Sequence, residues 1–159
     1  SYETFDIKRQ VESMGEINQV VRYGPIKLDS EYGGVFFYGA HIIQPLMYIF
    51  GDAIKKVRMN DNGKNSSASL IYENGMLATL ISTTKKYGWE THVETKDGMM
   101  KLNATEDYKG KIPKNDLDMV TMFKTGVEPR SYESILSGVA VLEALERSVN
   151  SGKWEDVIK

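Results

Sequence analysis

A chain of 159 residues and 18.0 kDa, 41% hydrophobic and 26% charged, is long enough to bury one sizeable core and too apolar to be disordered. Its formal net charge of -2 and pI near 5.7 give no basic stripe for nucleic acid, and the lack of any cysteine excludes disulfides and thiolate metal sites. No apolar run reaches the length of a membrane span and no leader pattern precedes the first polar segment, so neither nucleic acid nor membrane is expected as a partner and a reducing, cytoplasmic setting is.

From Thr4 to Met14 the apolar positions Ile7, Val11 and Met14 recur at helical spacing, with Thr4 able to cap and Gly15 placed to stop the helix. Glu16 to Tyr23 sets Ile17, Gln19, Val21 and Tyr23 against Asn18, Val20 and Arg22, the period of a strand, which Gly24-Pro25 ends. A loop through Asp29, Ser30 and Glu31 leads to Gly33-Gly34 and a strongly apolar helix that Gly51-Asp52 terminates. That helix holds His41, one of two histidines, among Phe, Tyr and Ile residues where burial is expected. Pro45 has no N–H for the His41 carbonyl, so the helix should start near His41 or kink there.

Strands follow. Ala53 to Met59 is one, and 60–65 is a polar loop. Ser66 to Tyr72 and Met76 to Thr84 flank Glu73-Asn74-Gly75, where Asn-Gly favours a tight hairpin with positive φ at both central positions, and Glu90 to Thr95 and Met99 to Asn103 repeat the device around Asp97-Gly98. Two successive hairpins predict an antiparallel meander. In the first, Ala68, Leu70, Tyr72, Met76, Ala78 and Leu80 suit a helix-covered core. The opposite set, Ser67, Ser69, Ile71, Leu77, Thr79, Ile81 and Thr83, suits either a face buried against another subunit or an ordinary Thr-rich open face.

Tyr108 to Pro113 reads as loop. Asp116 to Lys124 is a short helix with Leu117, Val120 and Phe123 inward. Ser131 caps a long helix whose Ile135, Leu136, Val139, Leu142, Leu145 and Val149 form a stripe, closing at Ser151-Gly152, and Trp154 to Ile158 adds a short strand or strap. The fold class is α+β: a mostly antiparallel sheet with helices packed on one face and an open face available for oligomerisation, all in a single domain over 1–159.

Neither G-x-G-x-x-G nor G-x-x-x-x-G-K-[ST] occurs, and the histidines, 51 residues apart, have no metal-ligand spacing, so this chain should bind no metal and no nucleotide cofactor of its own. Asn65-Ser66-Ser67 and Asn103-Ala104-Thr105 match the glycosylation pattern by chance in this setting. His41 fits either a general acid/base or a hydrogen-bonded core histidine. Tyr38 lies three residues before it on the same helical face. Lys85, Lys86, Tyr87, Trp89 and His92 cluster near a strand end, fitting either a cleft for a sugar or polyol or an ordinary surface loop, with His92 facing solvent.

The Gly-Gly pair before Tyr38-Gly39-Ala40-His41, the closing stretch from Leu46 to Gly51, the hairpins ending in Lys96-Asp97-Gly98, and the last helix followed by Asn150-Ser151-Gly152-Lys153 together resemble the C-terminal domain of the Gfo/Idh/MocA oxidoreductases, the glucose-fructose oxidoreductase and inositol dehydrogenase relatives. The resemblance covers nearly the whole chain. It implies a missing N-terminal Rossmann domain that binds NAD or NADP, a small-molecule substrate held against this domain, and homo-oligomerisation through the open sheet face. The start at Ser1-Tyr2-Glu3 fits such a C-terminal piece, which alone should be inactive.

In that family an Asp-x-x-x-His pair on the helix handles the substrate hydroxyl proton. His41 matches the histidine, but Phe37 stands at the aspartate position and Gln44 at an acidic position three residues further on. The resemblance thus implies His41 as the catalytic group, with Tyr38 sharing the proton work, while Lys86 and Trp89 of the polar and aromatic cluster are expected as substrate contacts. The alternative is a non-catalytic binding or dimerisation module that kept the fold.

Overall fold

The computed structural model describes residues 2–83, 89–105 and 110–158. Thr84, Lys85, Lys86 and Tyr87, named above at the end of a strand and in the candidate cleft, lie outside the described residues, as does Tyr108 in the later loop.

The chain runs α1 Tyr2–Ser13, β1 Ile17–Gly24, α2 Val35–Phe50, β2 Ile54–Asp61, β3 Ser66–Tyr72, β4 Leu77–Ser82, β5 Thr91–Thr95, β6 Gly98–Leu102, α3 Lys114–Thr125, α4 Tyr132–Ser151 and β7 Glu155–Asp156. The strands form one open, mostly antiparallel sheet in the order β6-β5-β1-β4-β3-β2-β7, with helices on one face, the α+β architecture expected. The meander is corrected. β2, β3 and β4 do run as one, but β1 inserts between β4 and β5, parallel to the former and antiparallel to the latter, so the two hairpins never touch. Pairing between distant segments leaves no local turn signal, which is why the sequence shows the hairpins and not their separation.

The first hairpin turn also differs from expectation. Only Gly75 takes a positive φ, 89°, while the Asn74 side chain accepts the Met76 N–H and the Gly75 N–H bonds back to Tyr72. This is a type I turn followed by a glycine bulge, a three-residue loop that needs one left-handed position instead of two. β2 extends two residues beyond its predicted end, to Asp61, because Asp61 and Asn62 side chains accept the N–H groups of Gly63, Lys64 and Asn65 and close the turn tightly.

Alternation places Ala68, Leu70, Tyr72, Met76, Ala78 and Leu80 in the core as expected, joined by Val20, Val57 and Val93. Ser67, Ser69, Ile71, Leu77, Thr79 and Ile81 are half-buried on the open face. Over the inner face lie α1, α2 and α4. Gly39 brings α2 so close to α4 that a Cβ there would sit 2.8 Å from Leu142 Cδ2. Ser148, fully buried, accepts the Met59 N–H at 2.8 Å and donates to the Lys153 carbonyl at 2.6 Å, fastening α4 to the part of β2 that β7 does not reach.

Two helix faces need correction. Leu117, Val120 and Phe123 of α3 are exposed, and the helix has no buried residue. In α4 the predicted stripe keeps only Leu142 and Leu145 inside, while Ile135, Leu136, Val139 and Val149 are exposed. The buried side is instead made largely of Ser137, Gly138, Ala140, Val141, Ala144 and Ser148. Small side chains let α4 lie close to α2 and β2, and the bulkier ones are turned outward. The Ser131 cap and the Gly152 stop are as predicted: Ser131 Oγ accepts the Ser134 N–H, and Gly152 is left-handed at φ 65°.

Candidate functional site

Helical geometry divides α2 into two faces. Ile42, Ile43, Leu46, Met47 and Ile49 are buried, while Phe37, His41 and Gln44, spaced i, i+4 and i+7, are exposed. His41 is therefore not enclosed in the apolar segment, because its two isoleucine neighbours take the inward positions. Nor does the helix begin near it: α2 starts at Val35, after left-handed Gly33 and Gly34, and Pro45 is accommodated inside it.

His41 stands on a ridge between two cavities. One, of about 390 Å³, is lined by Glu3, Thr4 and Ile7 of α1, Arg22 of β1, Pro45 and Trp89. The other, of about 330 Å³, includes Phe5, Gln44, Tyr48, Lys114 and Arg130. The first lies in the size range of small-molecule sites. Trp89 reaches it because Gly24 leaves room: a Cβ at Gly24 would lie 3.1 Å from Trp89 Cζ3 and 2.9 Å from Ile42 Cδ1.

The structure thus brings together His41 and Trp89, two of the residues named from sequence. Tyr38 sits with its ring 6.0 Å from that of His41 but lines a separate cavity of about 750 Å³, shared with Leu28, Tyr32, Lys64 and Thr83. Lys86 lies outside the described residues. His92 is on the other face of the sheet, half-buried rather than facing solvent freely, with Nε2 3.4 Å from the Glu90 carboxylate and its ring edge-on to Tyr23 at 5.9 Å. It takes no part in the His41 cavity. The Phe37 ring lies tilted at 5.4 Å from that of Tyr32 and edge-on at 4.7 Å to that of Tyr38, so an aromatic row runs up to the imidazole.

Sequence reasoning missed Arg22. It lies on the inner face of β1 with Val20 and Gly24, only 5% exposed, and its Nη1 donates to the hydroxyl of Thr91, itself buried. Its Nε finds no hydrogen-bond partner among the described residues. Burial lowers its pKa and the Glu3 carboxylate opposes that shift. An arginine on a two-residue alternation gives no sign of which face it occupies, so no pattern in β1 alone would have singled it out. α1, which walls the cavity, is tied down by Asp6: its buried carboxylate accepts from Arg9, from the Thr105 N–H at 2.6 Å and from the Thr105 hydroxyl.

The residues present do not fit a dinucleotide. The glycine pair before α2 follows a turn and not a strand, and a Cβ at Gly34 would lie 3.2 Å from the Leu28 carbonyl oxygen, so the space beside it is filled by backbone. Among the described residues no three metal-ligating side chains converge, and no helix is long and apolar enough to cross a membrane.

No family model and no curated protein matches the sequence. Solved structures match the fold. Scyllo-inositol dehydrogenase from Lactobacillus casei, with bound NAD(H) and scyllo-inositol, superposes with a TM-score of 0.75 at 14% identity, over 97% of this chain and 61% of that one. Myo-inositol 2-dehydrogenase from Lactobacillus plantarum gives 0.75 at 16% identity, over 98% and 61%. An oxidoreductase from Agrobacterium radiobacter, in complex with NAD+, L-tartaric acid and magnesium, gives 0.66 at 15% identity, over 97% and 61%. The chain therefore spans about three-fifths of the length of these enzymes and shares its fold with that part of them.

Proposed function

We propose that this chain is the C-terminal, substrate-side domain of an NAD- or NADP-dependent oxidoreductase of the Gfo/Idh/MocA family, acting on a sugar, polyol or related hydroxyl compound. The observation that carries the reading is the likeness of nearly the whole chain to three-fifths of a dehydrogenase solved with NAD(H) and of an oxidoreductase solved with NAD+, with His41 beside a cavity of ligand size. The nicotinamide cofactor belongs, in this reading, to the Rossmann domain in the remaining two-fifths. What this domain supplies is a wall for the substrate and a place for its hydroxyl proton. His41, exposed and able to donate or accept at a ring nitrogen, exchanges that proton. Trp89 offers an aromatic face to sugar C–H groups, the Tyr38 ring flanks the imidazole, and Lys86 is assigned to substrate hydroxyls from its place in the sequence.

Two surfaces support a larger assembly. The half-buried Ile71, Leu77, Thr79 and Ile81 on the open sheet face are suited to homo-oligomerisation. The exposed apolar face of α3 and the start of α4, with Phe123 78% and Leu136 64% exposed, is suited to cover by further protein.

A second reading has one observation in its favour. Phe37 is packed into an aromatic row where the family places a carboxylate, as in a module that kept the fold without the chemistry. Assaying the protein together with its Rossmann domain for NAD+ or NADP+ reduction by a panel of polyols and sugars separates the two. Turnover of any member supports the enzyme. Binding of NAD(H) without turnover of any member favours the module.

A further inference from the structure

We propose that the cavity between α1, α2 and β1 receives the carboxylate of an acidic sugar or polyol, a hexuronate or aldonate, on the guanidinium of Arg22. This rests on the substrate-side reading above and names the class of substrate.

A buried guanidinium is normally paired, because removing its charge from water is costly unless an anion or several acceptors replace the solvent. Arg22 is 5% exposed and among the described residues makes one hydrogen bond, to the neutral Thr91 hydroxyl, while the Glu3 carboxylate acts on its charge without a hydrogen bond or ion pair. Nε is enclosed without an acceptor, and Nη2 finds none among the described residues. One Nη1 hydrogen goes to Thr91 and Nε is enclosed, so the donors left to meet a carboxylate from the cavity are those of Nη2 and the second Nη1 hydrogen, on the Nη1–Nη2 edge of the fork. The cavity that Arg22 lines is the one bordered by His41 and Trp89, so an acid group on this edge would leave the rest of a sugar between an aromatic face and the imidazole.

Among the described residues, Glu3 is the acidic side chain that lines this cavity. Glu3, on the first turn of α1, is exposed and makes no ion pair with Arg22 among the described residues. It is an acceptor for sugar hydroxyls and repels a bare anion that has no hydroxyl to offer. The cavity should therefore prefer a sugar acid both to the neutral sugar and to a simple carboxylate.

Titration of the chain with sodium D-glucuronate, D-glucose and sodium acetate at constant ionic strength, following the Arg22 Nε–H and Trp89 indole resonances by NMR, tests this. D-glucuronate should move both resonances saturably with a Kd at least about tenfold below that for D-glucose or acetate, as expected for a charge-assisted pair. Arg22→Lys, which keeps the charge and loses the fork, should erase most of that preference. Equal affinity for glucuronate and glucose, or an Arg22 resonance that glucuronate does not move, overturns the proposal, and the wild-type titration decides even where the variant fails to fold. A protein that prefers glucuronate yet reduces no NAD(P)+ keeps this inference and loses the enzyme, whereas turnover of polyols without the preference does the reverse.

Discussion

Along α2 the side chains of Ile42, Ile43 and Leu46 are fully enclosed, while Phe37, His41 and Gln44, next to them in sequence, are exposed beside the cavities. The inner face joins the core shared with α4 and the sheet, and the outer face borders the candidate site. One helix thus serves both, so substitutions on it should separate cleanly: inner positions govern stability, outer positions govern chemistry.

The largest expected effect is on the inner face. Leu46→Ala should destabilise by about 2–5 kcal/mol, read from denaturant midpoints, because it removes a fully buried side chain and leaves a cavity. A loss below 1 kcal/mol would mean that the inner face is loosely packed and the division unsound. Gly24→Val tests the seam between the faces, since its side chain would meet both Ile42 of the core and Trp89 of the cavity. It should cost about 1–3 kcal/mol through overpacking and displace the indole, seen as a change in tryptophan fluorescence. Unchanged fluorescence would remove Trp89 from the wall of the site.

A smaller, pH-dependent effect concerns α1, the outer wall. The Arg9 guanidinium, then the Thr105 N–H, hold the Asp6 carboxyl at about 2 against an ordinary 3.8. A depressed folded-state pKa means that the ionised Asp6 contributes stability which is complete above pH 4 and lost as pH falls through about 2. Between those values hydrogen exchange should quicken in α1 before it quickens on the inner face of α2, and Asp6→Asn should abolish that acid step. Simultaneous loss in both helices would show that α1 is part of the core and no separate wall.

The sequence showed the local parts of this fold and concealed the distant ones. Helix ends at Ser131 and Gly152 and the turns at Asn74-Gly75 and Asp97-Gly98 were legible because capping and left-handed backbone require particular residues nearby. The insertion of β1 between the hairpins was not, because its pairs with β4 and β5 join segments tens of residues apart. Apolar periodicity located α3 and α4 but misjudged which side is covered, since Ile135, Leu136 and Phe123 are exposed while Ser137, Gly138, Ala140, Ala144 and Ser148 join Val141, Leu142 and Leu145 on the buried side of α4. In the site, His41 and Trp89 stood out by residue type. Their junction with Arg22 and the first turn of α1 exists only once β1 lies under α2.

The most direct test of the division is His41→Ala in the two-domain oxidoreductase proposed above, with kcat and thermal stability measured on the same preparation. A general acid/base on the exposed face predicts a fall in kcat of about a hundredfold or more with a melting temperature within about 2 °C of the parent. An unchanged kcat, or a loss of stability like that of Leu46→Ala, would contradict it.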